Sequence, residues 1–590
     1  MVRATEVRRA LGLALTLALP GHPSLAQDPM ASLDSLADAY WQARLDRFPE
    51  TATILGFSGP RNGRLEDLSP AGFERWDERL RGFQRAAATI DAGRLDRAGR
   101  VNLEMLTDEI GNALAVRTCR REVWSVDQLG GPQVALADLA GLQPVATPAE
   151  RALLLGRWRR IGAYLQQHTA QLQAGLDRGY GAAGINVERV IGQLDRLVAQ
   201  PADSSPFYAP ARRAGDAAPA FARTLRALVR DSVLPAFRRY RDFLATTYAG
   251  RARPEAGIRW LPDGVACYRA LIRRHTSLDL SADEIHRIGL DNVAAVRQEM
   301  LDVVRRRFHT ENLDSVLRAL PADSTMTFAT RVEVFATAQR AVTRMEAKLP
   351  ELIGRLPKER LVVEEMPGYQ EKDAPAAYYY PGSADGTRPG RYLVNTSDPR
   401  QRPRYTAEVL AFHEGVPGHH IQLARSQELP LPAFRRFGDG NTALVEGWAL
   451  YTERLADEAG MYSGDLDRLG MLIFQSWRAC RLVVDTGIHA LGWTREQAID
   501  YLLTNTGLSR LDAENEVDRY IADPGQALAY RLGQREITRL RAEAQKALGP
   551  RFDLRRFHDV VLGDGAVTLA ILDENVRAWI ASERGTGAGR

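Results

Sequence analysis

Lysine is almost absent from this chain. Four of its 78 basic residues are lysines and 74 are arginines, while 74 acidic residues hold the formal net charge to +4. Such a skew toward arginine and alanine is typical of a GC-rich coding genome, and a balance this close to neutral gives no strong electrostatic steering. We therefore predict no nucleic-acid partner.

Cysteine is also scarce. Cys119, Cys267 and Cys480 are odd in number and scattered, which excludes a disulfide framework and a cysteine-based zinc finger. One pair could still form a bridge. The spacing favours buried, small hydrophobic side chains.

Long hydrophobic runs are missing. The apolar stretch at residues 10–19 is too short to cross a bilayer as a helix. It follows three arginines and precedes Ser24-Leu25-Ala26, a small-residue cleavage pattern. We predict a signal peptide at residues 1–26, export to the periplasm or the medium, and no membrane span after cleavage. The alternative is an uncleaved anchor.

Most of the remaining chain shows helical periodicity, so the predicted fold class is mostly α. Ser281–Glu284 and Thr494–Gln497 fit capping boxes that start helices. The clearest periodic segments are residues 33–45, 96–116, 148–176, 217–247 and 281–308.

The length of 590 residues by itself suggests three or four domains. A stretch rich in proline, alanine and serine at residues 201–219 is the best candidate boundary, separating lobes at roughly 27–200 and 217–590. No fixed-period repeat is apparent, which disfavours a solenoid.

Three short β-prone runs interrupt the helical pattern at residues 361–364, 377–380 and 391–395. They predict a small sheet immediately before the histidine-rich segment described next. An exposed edge of that sheet could pair with an extended peptide substrate. A purely structural hairpin fits the pattern equally well.

The run from Phe412 to Gln422 resembles a stretched zinc-hydrolase motif. His413 is followed directly by Glu414, but a Gly-Val-Pro-Gly insert separates this pair from His419 and His420. In a straight helix the sixth and seventh residues lie about 9 and 10.5 Å along the axis, too far to share one ion. Because Pro417 also disrupts a helix, we expect a break at residues 415–418 and a second helix starting near Pro417. The spacing leaves both His419 and His420 open as the second ligand.

A catalytic zinc normally takes three protein ligands. Glu446, a carboxylate in an apolar helical stretch, is the best third ligand. Glu453 lies on the same helix face and is a candidate to orient a ligand. Glu414 is then the general base that activates zinc-bound water. The competing interpretations are a surface or arginine-paired Glu446 and structural histidines.

Further downstream, Tyr530 is a candidate for stabilising an oxyanion, and Arg531 for holding a substrate carboxylate. Packing is the alternative for both. His558 is predicted to be a core histidine. A polar stripe is predicted to be partly buried and ion-paired, with substrate orientation as the alternative; it comprises Arg478, Arg481, Asp485 and His489.

From about residue 30 to 582, the chain resembles the bacterial domain-of-unknown-function family 885. The motifs that carry this resemblance are Tyr378-Tyr379, Arg388-Pro389-Gly390, Asn395-Thr396, His413 to Gln422, Glu446-Gly447-Trp448-Ala449, Asp485 to His489, Pro524 to Ala527 and Phe557-His558-Asp559.

That family is in turn similar to helical zinc peptidases of the angiotensin-converting-enzyme and thimet-oligopeptidase type. The similarity implies one two-lobed helical domain with a deep cleft, His413 and Glu446 as zinc ligands, and Glu414 as base. In the converting-enzyme type, Ile-Gln follows the second histidine, which favours His420 here.

We therefore expect an exported zinc-dependent hydrolase of peptide or peptide-like amide bonds. One alternative keeps the zinc and changes the substrate to an ester, a lactone or a cell-wall amide. The other is a non-catalytic envelope binding protein with a decayed metal site.

Overall fold

The computed structural model describes residues 28–368, 371 and 375–585. It is mostly helical, at 73% helix, with one small three-stranded sheet, which confirms the predicted class. The predicted signal peptide lies outside the described residues. Within the described part, no helix is long and apolar enough to cross a membrane.

Many of the α-helices begin at a proline or after a side chain that caps their first turn. Ser281 and Thr494 form the two predicted capping boxes. In chain order the α-helices are α1 (Pro29–Arg47), α2 (Pro49–Ile54), α3 (Pro70–Ala87), α4 (Arg97–Ala115), α5 (Pro132–Leu142), α6 (Pro148–Arg159), α7 (Ile161–Leu176), α8 (Gly184–Ala199), α9 (Ala209–Ala214), α10 (Pro219–Leu228), α11 (Leu234–Phe243), α12 (Gly264–Thr276), α13 (Ala282–Phe308), α14 (Leu313–Ala319), α15 (Arg331–Leu352), α16 (Ala407–Leu410), α17 (His419–Glu428), α18 (Ala433–Phe437), α19 (Thr442–Glu458), α20 (Asp465–Thr486), α21 (Arg495–Asn505), α22 (Arg510–Ala522), α23 (Ala529–Leu548), α24 (Leu554–Leu562) and α25 (Leu569–Gly585).

The sheet comprises β1 (Leu361–Glu365), β2 (Ala377–Tyr380) and β3 (Gly390–Val394), close to the three predicted runs. Its order is β1-β3-β2, with β1 parallel and β2 antiparallel to the central strand. Both β2 and β3 contact the segment that carries the histidines. The sheet therefore packs directly against the candidate site.

The largest hydrophobic core joins the N-terminal helices to α15, the sheet, α19, α23 and α25. A second core is built from residues 126–248, chiefly α5 to α8, α10 and α11. Phe207, Tyr208 and Ala211 are buried within this second core. The described hydrophobic clusters are therefore not divided at residues 201–219, where the composition placed a lobe boundary.

A disulfide joins Cys119 to Cys267, whose Cα atoms lie 4.6 Å apart. The structure thus has the bridged pair that the sequence leaves open, in place of two unpaired buried thiols, because α12 packs against the segment that follows α4. Cys480 is buried and free, as expected.

Candidate metal centre

The histidine run folds back on itself instead of continuing as one helix. After α16, a π-helical turn spans Ala411–Gly415 and carries His413, while α17 begins at His419. Between them Val416 is extended, and its peptide bond to Pro417 is cis. The predicted break is confirmed, and the second helix begins two residues after Pro417.

Two contacts hold the folded-back segment. A Cβ atom added at Gly418 would lie 1.9 Å from the carbonyl oxygen of His413, so only glycine fits this approach. The indole N–H of Trp448 donates to the carbonyl of Pro417 at 3.0 Å. As a result, the rings of His413 and His419 stand perpendicular, with centroids 5.0 Å apart.

Glu446, from α19, completes a group of three. Its Oε2 atom lies 3.4 Å from His419 Nε2 and 3.9 Å from His413 Nε2. One ligand atom from each of the three residues lies within 4.8 Å of the others. Tetrahedral zinc at bond lengths of about 2.0–2.1 Å separates its ligand atoms by about 3.3 Å, so small side-chain adjustments would close this group around an ion.

Buried polar atoms without hydrogen-bond partners also fit a metal ion at this group. Glu446 Oε2 is buried, and neither it nor His419 Nδ1 has a hydrogen-bond partner in the described part of the chain. Burial raises the pKa of Glu446, but the contact with His419 and the positive charge of His419 outweigh burial and lower it to about 2. An ionised buried carboxylate with a free oxygen beside two imidazoles is a donor set that suits zinc.

His420 does not join this group. Its Nε2 donates to the carbonyl of Glu359 at 3.2 Å, and its Nδ1 accepts from the hydroxyl of Tyr379 at 3.1 Å. Both ring nitrogens are therefore occupied, and burial lowers the pKa of His420 to about 4. The inclusion of His420 among the ligands, favoured by the Ile-Gln that follows it, is corrected by this geometry, because the fold-back directs His419 to the site.

Glu453 contacts His413, the first candidate ligand, as its position on the helix predicted. His413 Nδ1 donates to Glu453 Oε1 at 2.8 Å, which leaves Nε2 as the free nitrogen. Burial, then the positive charge of His419, lowers the pKa of His413 well below its usual value, so the ring is neutral and can bind a metal. Gln475 donates to the second oxygen of Glu453 at 2.7 Å.

Arg531 lies behind this chain of contacts and does not face the three candidate ligands. It donates to Asn292, Gln475 and Gln534. Because Gln475 also donates to Glu453, Arg531 is linked to the candidate ligand His413 only through these two side chains. The prediction that Arg531 grips a substrate carboxylate is corrected accordingly.

Glu414 sits beside the three candidate ligands. Its Oε2 accepts a hydrogen bond from the backbone N–H of Tyr379 in β2, at 2.9 Å. Burial raises the pKa of Glu414 to about 7, against the opposing charge of His419. A carboxyl group poised near neutrality can take and return a proton.

Tyr530 reaches the site from α23. Its ring stacks on His413, with a centroid distance of 6.4 Å and an interplanar angle of 16°. Its hydroxyl accepts from Arg519 at 3.1 Å. Sequence reasoning missed Tyr379, Arg519 and Gln475, since nothing in their local sequence marks a contact with a distant site.

A close helix crossing brings Tyr530 and Glu446 together. Helices α19 and α23 meet at Gly447 and Gly533, where a Cβ atom added at Gly533 would lie 1.7 Å from the carbonyl of Ala443. Glu446 precedes one glycine by one residue, and Tyr530 precedes the other by one helical turn. The two glycines therefore set the distance between a candidate ligand and a candidate catalytic side chain.

Solved structures of two bacterial proteins resemble this chain. A candidate lipoprotein from Colwellia psychrerythraea is 28% identical with a TM-score of 0.89, over 94% of this chain and 100% of that one. A candidate lipoprotein of unknown function from Shewanella oneidensis shares the fold at 20% identity and a TM-score of 0.71, over 92% of this chain and 99% of that one. No curated protein matches the sequence. The family model described as bacterial protein of unknown function (DUF885) matches residues 49–576, and the chain therefore belongs to that family.

Proposed function

We propose that this protein is an exported zinc-dependent hydrolase that cleaves peptide or peptide-like amide bonds. The observation that carries the proposal is the group of buried His413, buried His419 and partly buried Glu446, in which one carboxylate oxygen accepts no hydrogen bond from the described residues. The adjacent Glu414 has a pKa of about 7, raised mainly by burial. A metal-binding group without a neighbouring base would support binding alone, whereas the combination supports hydrolysis.

When bound, zinc polarises a substrate carbonyl and makes water a better nucleophile. Glu414 takes the proton of the attacking water as the new C–O bond forms. It then gives that proton to the departing amide nitrogen as the C–N bond breaks, which yields a carboxylic acid and an amine; at neutral pH the acid proton passes on and leaves a carboxylate and an ammonium group. The N–H of Tyr379 holds one oxygen of Glu414, so the other oxygen is available for the proton.

Tyr530 supplies a hydroxyl on the His413 side of the site. Because Arg519 donates to this hydroxyl, the proton of Tyr530 is free to point toward an oxyanion. A donor placed where negative charge develops contributes typically about 10²–10³ in rate.

The helical scaffold, the Glu ligand from a separate helix and the small sheet beside the histidines support likeness to zinc peptidases of the converting-enzyme type. The proposal includes their two-lobed single-domain architecture with a cleft. It differs in one respect, because the second histidine, His419, comes from a new helix beyond the break.

An envelope location belongs to the same proposal. Two structural relatives are described as candidate lipoproteins. The disulfide between Cys119 and Cys267 also favours an oxidising compartment, since such bonds are rare in the cytosol.

Elemental analysis of the purified protein, paired with assays of Glu414→Gln on a peptide library, tests the proposal. We expect about one zinc per chain in both proteins and at least a thousandfold loss of hydrolysis in Glu414→Gln. The half-exposed Glu458 at the end of α19 offers a control, because Glu458→Gln should change neither quantity. Hydrolysis that survives complete removal of metal would contradict the proposal, as would a purified protein that binds no zinc.

A further inference from the structure

Arg478 is a buried cation without a hydrogen-bond partner. Its side chain is 4% exposed, and its Nε and Nη1 atoms have no partner among the described residues. Burial lowers its pKa, yet an arginine remains charged at neutral pH. Since burying an unpaired charge is strongly unfavourable, such a group calls for a ligand.

Its position in α20 places Arg478 beside the metal centre. One turn before it, Gln475 holds Glu453, the partner of His413. One turn after it, the guanidinium of Arg481 lies 4.3 Å above the ring of Tyr530, which stacks on His413. Residues three apart on a helix are about 5–6 Å apart at Cβ, so Arg478 lies between the two contacts that lead to the first ligand.

The acidic groups nearby are already engaged. Glu453 uses one oxygen on His413 and the other on Gln475. Glu516 pairs with Arg481 at 3.0 Å and accepts from Tyr520 at 2.7 Å. No described carboxylate lies within ion-pair distance of Arg478, so its positive charge is available to a ligand.

The guanidinium is also held in place. It stacks 4.2 Å from the ring of Trp477 and 4.4 Å from that of Phe474. A cation fixed on aromatic faces loses little freedom when it binds an anion. Arg481 in the next turn adds to the positive charge and leaves its own Nη1 without a partner.

We propose that Arg478 binds a carboxylate of the substrate, and that the substrates are peptides carrying a carboxylate close to the cleaved bond. This inference rests on the proposed function, because the nearby metal centre defines where that bond lies. The carboxylate comes from either the C-terminus or an acidic side chain. Arginine favours this class, since its nitrogens match carboxylate geometry.

Calorimetric titration tests recognition without requiring turnover. The ligands are the N-acetyl derivatives of glycine, phenylalanine and aspartate, each compared with its carboxamide. We expect wild-type protein to bind the best acid about 10- to 100-fold more tightly than the matching carboxamide, as for a hydrogen bond to a charged group. Arg478→Gln should remove this preference. Arg478→Lys should retain part of it, and this variant provides the test if Arg478→Gln fails to fold. Arg297→Gln, at a partly exposed ion pair on α13, should behave as wild type.

Equal binding of acid and carboxamide by wild-type protein would overturn the inference. An undiminished preference in folded Arg478→Gln, or the failure of every acid to bind, would do the same. Any carboxylate that contacts the metal contributes equally in wild type and variant, so their difference isolates Arg478.

Hydrolysis of three matched peptides identifies the source of the carboxylate. The first peptide has a free C-terminus, the second has an amidated C-terminus, and the third ends in a glutamate whose C-terminus is amidated. We expect kcat/KM to fall about 10- to 100-fold for the plain amide and to recover with glutamate only if a side chain suffices. Equal cleavage of all three overturns the role of Arg478 and leaves the proposed hydrolase intact. Acid-selective binding without any cleavage would support the role of Arg478 and contradict the proposed hydrolase.

Discussion

His413 and Glu453 form a buried pair in which the imidazole Nδ1 lies 2.8 Å from the carboxylate. The pair fixes which ring nitrogen is free, and Glu453 is 0% exposed. Loss of such a partner typically weakens metal binding 10- to 100-fold.

Glu453→Gln should therefore reduce zinc affinity by about 10- to 100-fold while the fold persists. Competition with a fluorescent zinc chelator measures the affinity. The control is Glu458→Gln, at the half-exposed end of the same helix, which should bind zinc as wild type does. Equal affinity in both variants would show that the carboxylate does not orient the ligand.

The two histidines at the start of α17 should behave differently. His419→Ala should lose bound zinc, because it removes one of three ligands. His420→Ala should retain about one zinc per chain, since both nitrogens of His420 are occupied by Tyr379 and Glu359. Elemental analysis of the two purified variants measures the bound zinc. Zinc retained by His419→Ala and lost by His420→Ala would identify His420 as the ligand instead.

Replacement of Gly533 by alanine should disturb both fold and site. The new Cβ would lie 1.7 Å from the carbonyl of Ala443, so α19 and α23 must separate. We expect a loss of about 1–3 kcal/mol and weaker zinc binding, because Glu446 and Tyr530 lie on these helices. Chemical unfolding and zinc titration measure the two effects.

A glycine with free space provides the control for that experiment. Gly111, inside α4, has nothing within 4 Å of an added Cβ, so Gly111→Ala should be neutral or stabilising by up to about 1 kcal/mol. If both variants show the same stability, the helix crossing is not as tight as described.

Acid should destabilise the fold through His489 and His558. His558 donates through Nδ1 to the carbonyl of Leu352 and accepts at Nε2 from Tyr451, while His489 accepts from the N–H of Ile258. Burial lowers the pKa of each ring to about 3. Between pH 6.5 and 3 the unfolded chain binds protons that the folded chain refuses, so the stability present above pH 6.5 declines as the pH falls.

At pH 5 each ring should cost about 2 kcal/mol relative to pH 7.5. Urea unfolding with chelator present throughout measures the decline without a contribution from metal. His558→Gln should decline by about 2 kcal/mol less than wild type. An identical acid response in both proteins would exclude His558 as a cause.

Thiol counts should reveal the disulfide. The unfolded, unreduced protein should react as one thiol, that of Cys480, and the reduced protein as three. Cys119→Ser should lower the free energy of unfolding by about 2–5 kcal/mol, since the bridge closes a long loop. Three reactive thiols before reduction would contradict the bridge.

Local signals predicted much of this architecture. Capping boxes at Ser281 and Thr494 and the three β-prone runs gave element positions within a few residues, because short-range forces decide them. The break at residues 415–418 was also predictable, since proline and glycine act on their own backbone.

Long-range contacts explain what sequence reasoning missed. The position of His419, rather than His420, beside Glu446 depends on Glu359 and Tyr379, which bind His420 from distant segments. Arg531 and Arg478 are both positively charged residues on helices. Only the packing of α20 against its neighbours shows that Arg531 already donates hydrogen bonds while two nitrogens of Arg478 have no partner. Hydrophobic periodicity predicts which face of a helix is buried, but it does not predict which residues pack against that face.

The Cys119–Cys267 bridge has a consequence for how this family can evolve. Nearly all of the second core lies between these two cysteines, so the chain leaves and rejoins the main body at almost the same point. The segment also packs on the rest of the chain, because Arg157 donates to Thr53 and Arg189 pairs with Asp518. Length variation among relatives should therefore concentrate in the exposed loops of this segment, which can change without moving its two ends.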